Sequence, residues 1–419
     1  MTNGGSNTVR RRWLVCGLLL LASAINYMDR QTLANASVRV SREFGLAQEQ
    51  YGNLEAWFAY AFASGSLVFG FVADKVPLRW LYPVVLVLWS SVGFATGHTR
   101  SYEGLLWCRT FLGFFEGGHW PCGVKATRAL LDPADRSLGN SVLQSGTSIG
   151  AILTPLIMRG LMSDQPGSWR LPFQVIGVIG LGWVVLWFAM VRASDLVGAS
   201  DQESAGSSTT RTATEAPSAP GLWSLIFSRR MLVVFVVIAC INTSWQILRA
   251  WLPKFLQEGR GWGEAGALYY NSAWFAATDV GCLGAGALAV WLARRGWEVN
   301  RSRSTVFGLC AAITGLCVLI PWIRDPWVLG LLLMVIGAGA LGMFPIYHTY
   351  TQDISGRHQG RITGIASVAA WVIPAQAQRL FGWMADRTGS FDMGLVAVGF
   401  LPLVAWLALR FAWGQNRGR

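Results

Sequence analysis

The sequence predicts an all-α membrane protein of twelve transmembrane helices, arranged as two pseudo-symmetric six-helix bundles. Three observations carry this reading. First, 53% of the 419 residues are hydrophobic and only 13% are charged, whereas roughly a quarter of a water-soluble domain is charged. Second, apolar runs of about 20 residues, the length that crosses about 30 Å of hydrocarbon as a helix, recur from Trp13 to Trp413. They leave no room for a sizeable soluble domain. Third, the halves echo each other. The run DRSLGNSVLQSGTSIGA after Ala134 parallels GRITGIASVAAWVIPA after Gln359, and GSWRLPFQVIG from Gly167 parallels GSFDMGLVAVG from Gly389.

Apolar runs set against charged and Gly/Pro-rich breaks place the spans. Those of the first half are 13–36, 51–74, 79–98, 102–131, 137–162 and 171–192. Those of the second are 231–257, 266–294, 304–323, 327–352, 360–385 and 392–412. Arg10, Arg11 and Arg12 before the first run imitate a secretory signal. That run contains Asn26, Asp29 and Arg30 and lacks a small-residue cleavage site, so it reads as the first transmembrane helix. Between Ser194 and Ser228 the composition shifts to Ser, Thr, Ala and Gly, a flexible polar linker. The predicted organisation is therefore an N-terminal bundle over 1–193, a cytoplasmic linker over 194–229 and a C-terminal bundle over 230–419.

Twelve spans put both termini on one side. One set of connections holds Arg10 to Arg12, Lys75, Arg79, Arg136, Arg229, Arg230, Arg294, Arg295, Arg301, Arg303, Arg357, Arg361, Arg417 and Arg419. The opposite set is poorer, chiefly Arg39, Arg42, Arg100, Arg170, Arg260, Arg324 and Arg387. The positive-inside rule then makes both termini cytoplasmic, in a bacterial-type inner (plasma) membrane. Such repeats in secondary transporters place the substrate at the midplane between halves, with access alternating as one half rocks against the other. Pro155, Pro345 and Pro374, with glycines nearby, predict kinks.

The formal charge of +12 does not indicate nucleic acid, because the basic residues punctuate apolar segments instead of clustering on one watery face. Membrane lipid headgroups are their expected partners. The seven cysteines form no Cys-x-x-Cys pair and lie near no His cluster, so they read as free thiols with no metal site. No Gly-x-x-x-x-Gly-Lys-Ser/Thr loop is present, no cofactor is implied, and an ion gradient is the expected driving force. A monomer is the default. A polytopic membrane enzyme would need a catalytic cluster such as a Ser/His pair or metal-spaced histidines, and the sequence offers none.

Intramembrane charge is the strongest functional signal, since an ionisable side chain near the bilayer centre costs at least about 2.5 kcal/mol and faces a pathway or a partner. Asp29 and Arg30 lie in NYMDRQTL; Arg109 and Glu116 lie in CRTFLGFFEGGHWP. Arg109 and Glu116 are seven residues apart, two helical turns, and so share a face. Two cations and two carboxylates cancel, which makes a buried network that one proton can tip. After the second span, GFVADKVPLRW supplies Gly70, Asp74, Lys75 and Arg79. Gly70 is expected to permit close helix approach, and Asp74 to latch to a basic residue or helix end in one conformation; the bland alternative is a charged loop. The corresponding run in the second half keeps Gly286, Arg294 and Arg295 but has Val290 where an acid is expected.

This loop resembles the signature of the major facilitator superfamily, apart from Pro77 and Leu78, where Gly and Arg are usual. The charged segments resemble the anion:cation symporters within it. The nearest likeness is to hexuronate transporters, through INYMDRQTL, EGGHWPCGVKA and SGTSIGAILTP. The resemblance covers essentially the whole first half and, more loosely, the second. It implies that Arg30 binds the substrate carboxylate, that Asp29 and Glu116 take protons, that Arg109 couples to them, and that Gln144 hydrogen-bonds substrate hydroxyls. Where similar carriers have Tyr, this chain has Phe62; Tyr60 offers a hydroxyl nearby but from another helix face.

In the second half, TSWQILRAWLPKF joins Trp245, Gln246, Arg249 and Trp251, a mixture suited to stacking and hydrogen-bonding a sugar acid. Trp245 and Gln246 read either as ligands or as interfacial packing, and Arg249 either as a ligand or as a partner of Asp279. Tyr347 is a further candidate contact, while His348 and His119 read as proton relays or as packing residues. The implied cargo is a small organic anion, a hexuronate or related sugar acid, with a proton as coupling ion. Alternatives are an organophosphate or other monocarboxylate carrier and a non-transporting nutrient receptor.

Overall fold

The computed structural model describes residues 3–131, 135–192, 195–196, 228–352 and 359–413. Most of the 194–229 linker, with Arg357, Arg417 and Arg419, lies outside them. All regular structure among the described residues is helical. In the first half the helices are α1 (Asn3–Phe44), α2 (Gln48–Lys75), α3 (Leu78–Thr96), α4 (Tyr102–Glu116), α5 (His119–Leu130), α6 (Arg136–Leu161) and α7 (Arg170–Met190). In the second they are α8 (Arg229–Lys254), α9 (Glu264–Arg294), α10 (Val299–Gly315), α11 (Pro326–Gly342), α12 (Phe344–Gln352), α13 (Gln359–Thr388) and α14 (Asp392–Ala412).

The predicted spans emerge as these segments because the fourth and tenth are each broken. Span 102–131 divides into α4 and α5 at Gly117 and Gly118, and span 327–352 into α11 and α12 at Met343. Paired glycines are poor helix formers. Pro121 and Pro345 sit in the first turn of the second pieces, where the missing N–H is harmless. Pro155 and Pro374, by contrast, lie within the continuous helices α6 and α13.

The internal echo has a structural counterpart. Trp169 in GSWR and Phe391 in GSFD occupy equivalent places, each a buried aromatic ring just before the last helix of its half. Packing repeats as well: α3 lies against α4 and α7, and α10 against α11 and α14.

The chain forms two compact units, Met1–Arg39 with Tyr60–Ala219, and Val40–Ala59 with Pro220–Arg419. In the first, Arg11 near the start of α1 pairs with Asp195 at 2.9 Å, beyond α7. Near the other end of α1, Arg39 donates to the carbonyl oxygens of Ser163 and Gln165 at 2.7 and 3.0 Å. In the second unit, the first amides of α2 are capped from another helix. Gln48 and Glu49 N–H donate to the two oxygens of Asp386 in α13 at 2.9 and 2.8 Å. This satisfies orphan donors and sets a negative charge at the positive helix end. Tyr51 donates to the Ala250 carbonyl oxygen at 2.9 Å, and its ring meets Trp251 edge-on.

Nine helices are long and apolar enough to cross a membrane among the described residues. Those falling outside this set are α1, the short α4 and α5, and α13. Of these, α4 and α5 are short, at 15 and 12 residues, and the four helices carry the buried Asp29, Arg30, Arg109, Glu116, His119 and Gln378. Large apolar side chains such as Phe71, Val185 and Leu283 project outward, as lipid-facing positions require.

One expectation is corrected. A Cβ at Gly70 would meet nothing within 4 Å, so this glycine does not serve a close helix approach. That role belongs to Gly65 and Gly117, whose added Cβ atoms would strike the Phe114 carbonyl and, at 2.6 Å, Phe62 O and Ser66 N. Gly117→Ala is expected to lower stability by about 1–3 kcal/mol through overpacking, read as an earlier thermal unfolding transition of the detergent-purified protein. Gly70→Ala should leave that transition in place.

Candidate functional site

The first unit gathers the four predicted intramembrane charges in its interior; Asp29, Arg30, Arg109 and Glu116 are all buried. Asn26 and Arg30 stand four residues apart on α1, one helical turn, so the Arg30 guanidinium reaches back to donate to Asn26 Oδ1 at 2.6 Å. Its Nε donates to Glu116 Oε2 at 2.7 Å, the length of a charge-assisted bond. The Phe62 ring lies under the same guanidinium, 4.5 Å from Cζ to centroid. Phe62 thus presents a cation–π face to Arg30.

Asp29 neighbours Arg30 in sequence but is turned about 100° around the helix. Both its carboxylate oxygens are buried without a hydrogen-bond partner among the described residues. The space they occupy exists because α3 carries Gly93: a Cβ there would lie 2.8 Å from Asp29 Oδ1. Arg109, fully buried on α4, joins Arg30 and Glu116 in setting the field at Asp29. Sequence reasoning missed Gly93 and Asn26. The four-residue spacing to Arg30 was a usable signal for Asn26, whereas nothing in the sequence marks one glycine of α3 as facing a carboxylate.

Backbone contacts set this geometry. At Gly65 and Gly117 α2 and α4 approach closely, and Ser66 Oγ donates to the Gly117 carbonyl oxygen at 3.0 Å. This holds Glu116 beside the stretch of α2 that carries Phe62. His119, first residue of α5, is bonded at both ring nitrogens, to Ser23 Oγ of α1 at 3.0 Å and to the Tyr82 hydroxyl of α3 at 2.9 Å. With both nitrogens engaged and the ring buried, it acts as a tie between helices. Gly146 and Gly150, four apart in SGTSIGA, turn one face of α6 onto the α1 backbone at Leu20 and Ala24, a small-residue contact suited to membrane helices.

The remaining candidates are more dispersed. Tyr60 is half-buried on α2, and Gln144 is exposed on α6, donating to Thr147 Oγ1 at 3.3 Å rather than entering the Arg30 cluster. Trp245 stacks on Trp274 at 5.6 Å, with the rings of Phe275 and Phe344 also against it. The Tyr347 ring lies tilted against that of His348, 4.1 Å between centroids. In the loop after α2, Asp74 finds its basic partner in Lys125 of α5 at 3.6 Å, and Lys125 also donates to the Ala73 carbonyl oxygen. Lys75 is exposed, and the Arg79 carbonyl oxygen accepts from Trp187 Nε1 at 3.0 Å.

The second unit holds a charge pair that the sequence reading did not name. Arg249 pairs with Glu55 of α2 at 3.4 Å rather than with Asp279, and its Nε donates to Gln246 Oε1 at 2.8 Å. Gln378 completes the group. It accepts from Trp251 Nε1 at 2.6 Å and donates to the Gln246 carbonyl oxygen at 3.1 Å. Glu55 escaped notice because it falls in the polar opening of the second span, where a carboxylate reads as solvated.

A family model described as the Major Facilitator Superfamily matches residues 19–377. Among curated relatives, the chain is 26% identical over 410 residues to the probable sulfoacetate transporter SauU of Cupriavidus necator, covering 96% of this chain and 94% of that one. It is 25% identical over 408 residues to the hexuronate transporter of Escherichia coli, covering 95% and 91%. Among solved structures, the bacterial homologue of the human lysosomal transporter Spinster aligns with a TM-score of 0.76 at 15% identity, covering 96% and 98%. That likeness is one of fold. The two six-helix repeats, the buried charges of α1 and α4 and the family match together identify the chain as a member of the Major Facilitator Superfamily, a multi-pass membrane transporter and not an enzyme.

Proposed function

We propose that the chain is a secondary active carrier importing a small organic anion, a hexuronate or related sugar acid, by proton symport with rocker-switch alternating access. The observation carrying the reading is the buried Arg30–Glu116 bond beside an Asp29 whose oxygens have no hydrogen-bond partner among the described residues. Arg30 is a fixed cation with a planar fork that suits a carboxylate. When substrate takes the guanidinium, Glu116 loses its compensating charge inside the protein, and protonation becomes its lowest-energy state. Asp29, without a hydrogen-bonding partner among the described residues, is a second acceptor. Anion arrival is thereby linked to proton uptake, with Arg109 holding the local field. Relatives that carry hexuronate and sulfoacetate by name support an anionic cargo.

Tyr60, Gln144, Trp245, Gln246 and Tyr347 are proposed as further substrate contacts in states other than the one described. The Gly70, Asp74, Lys75 and Arg79 loop is proposed as a conformational latch, with Lys125 as the partner of Asp74. Both termini are assigned to the cytoplasmic face of the inner membrane, and the working unit is a monomer.

Uptake of labelled glucuronate and galacturonate into proteoliposomes tests the reading. An inward proton gradient should stimulate uptake, and Arg30→Ala should reduce it roughly 10- to 100-fold, the worth of a lost charge-assisted hydrogen bond. No uptake of either acid by folded protein would remove the hexuronate assignment; uptake of phosphate esters with the same Arg30 dependence would replace it with an organophosphate carrier.

Asp29→Asn should abolish gradient-driven accumulation while sparing substrate exchange, measured as counterflow in preloaded vesicles. Retention of both activities would remove Asp29 from coupling. Asp74→Asn should slow turnover at saturating substrate with little effect on equilibrium binding; a change in affinity alone would argue against a latch.

A further inference from the structure

Arg249 is a buried cation of the second unit that the proposed cycle leaves unused, and its surroundings are those of an incomplete ligand shell. The side chain is almost wholly buried. Its Nε is committed to Gln246 Oε1 at 2.8 Å, and its Nη2 meets Glu55 Oε2 at only 3.4 Å. Nη1 has no hydrogen-bond partner among the described residues. A buried guanidinium donor left unmade is costly, and the Glu55 contact is longer than the 2.7–2.9 Å usual for charge-assisted bonds. The Arg30–Glu116 pair of the first unit does close, at 2.7 Å.

Beside the unfilled donor lies a small cavity whose lining includes Glu55, Gln246, Arg249, Trp371 and Gln378. Arg249 and Glu55 are its charged groups. The Gln378 carboxamide is fixed at both ends, by Trp251 and by the Gln246 carbonyl oxygen, so that wall is rigid. What the cavity lacks is an acceptor for Nη1, and the cation already there selects a negative one.

We propose that Arg249 is an anion-binding subsite of the second unit, taking a carboxylate or sulfonate oxygen of the cargo, and that Glu55 is its resident stand-in, displaced when the anion binds. The proposal rests on the reading of the chain as an organic-anion carrier and extends it by assigning a second cationic recognition point. Gln246, committed to Arg249 Nε, positions the guanidinium fork, and the loose contact to Glu55 leaves it exchangeable.

The test is equilibrium binding of glucuronate, which has one carboxylate, and glucarate, which has two, to the purified full-length protein, by calorimetry with thermal unfolding alongside. Glu55→Gln removes the competing charge and should tighten binding of at least one acid about tenfold. Arg249→Gln strands Glu55 and can impair folding, so the decisive variant is the double Glu55→Gln/Arg249→Gln, which buries no uncompensated charge. It should reverse the gain and bind more weakly than the wild type. A gain confined to glucarate assigns Arg249 to a second anionic group; a gain for both assigns it to the group they share. Wild-type affinity unchanged in Glu55→Gln, or a gain that persists in the double variant, would overturn the proposal alone. A folded wild type that binds neither acid would overturn the carrier reading and this proposal with it.

Discussion

Charge in hydrocarbon sets the terms for this molecule. Each ionised side chain at the bilayer centre costs at least about 2.5 kcal/mol before any partner is found, and the first unit buries Asp29, Arg30, Arg109 and Glu116 together. The arrangement is tolerable only if the partners are held close, and the Arg30–Glu116 bond joins α1 to α4 for that reason. Much of the unit's packing follows from keeping the bond short. The glycine contact between α2 and α4 lets the two backbones approach, which places Phe62 against the guanidinium. The His119 tie to Ser23 and Tyr82 holds α5 against α1 and α3 just after the break that ends at Glu116's neighbours.

The same constraint shows in α1, a long helix outside the set of apolar spans. A helix that only faces lipid can be apolar throughout, as α7 and α14 largely are, whereas a helix that carries the polar interior must dilute its apolarity and depend on its neighbours for solvation. α1 shows the trade most clearly. Its interior positions 22–37 are almost continuously buried although Ser23, Asn26, Asp29, Arg30, Gln31, Thr32 and Asn35 are among them. Buried amides and hydroxyls are satisfied partly along the helix itself, as with Thr32 to the Met28 carbonyl and Asn35 to the Gln31 carbonyl, so the charged pair need not supply every bond.

The fold was readable from the sequence because span length and the positions of breaks are one-dimensional properties. The twelve runs and the repeat are written in local composition, whereas 102–131 and 327–352 were read as single spans and each is divided in the structure. The first-half charges were readable as well, since each stood out against an apolar background and the seven-residue spacing put Arg109 and Glu116 on one face. Pair partners were less accessible. Arg249 was read either as a ligand or as a partner of Asp279, but Glu55, almost two hundred residues away, is the carboxylate that reaches it. Asp74 to Lys125 and Gly93 to Asp29 are likewise tertiary facts with no local signature. Gly70 shows the opposite failure: a motif glycine was given a packing role that belongs to Gly65, five residues earlier.

Replacing a buried ion pair with apolar residues of similar volume is often neutral or stabilising, so stability alone gives little reason for a membrane protein to keep two of them. Under the proposed carrier reading their value is that they can be exchanged. In the cycle proposed above, Arg30 with Glu116 would present a substrate carboxylate with a cation already dehydrated and oriented, so the anion would replace an internal carboxylate instead of stripping water from an exposed arginine. The displaced carboxylate can then be neutralised by a proton, which keeps the interior charge nearly constant whether the site is empty or filled. A carrier must pass through both conditions in every cycle without stranding a charge in hydrocarbon. Internal stand-ins for the cargo, removable one at a time, meet that requirement in a way that an apolar core cannot.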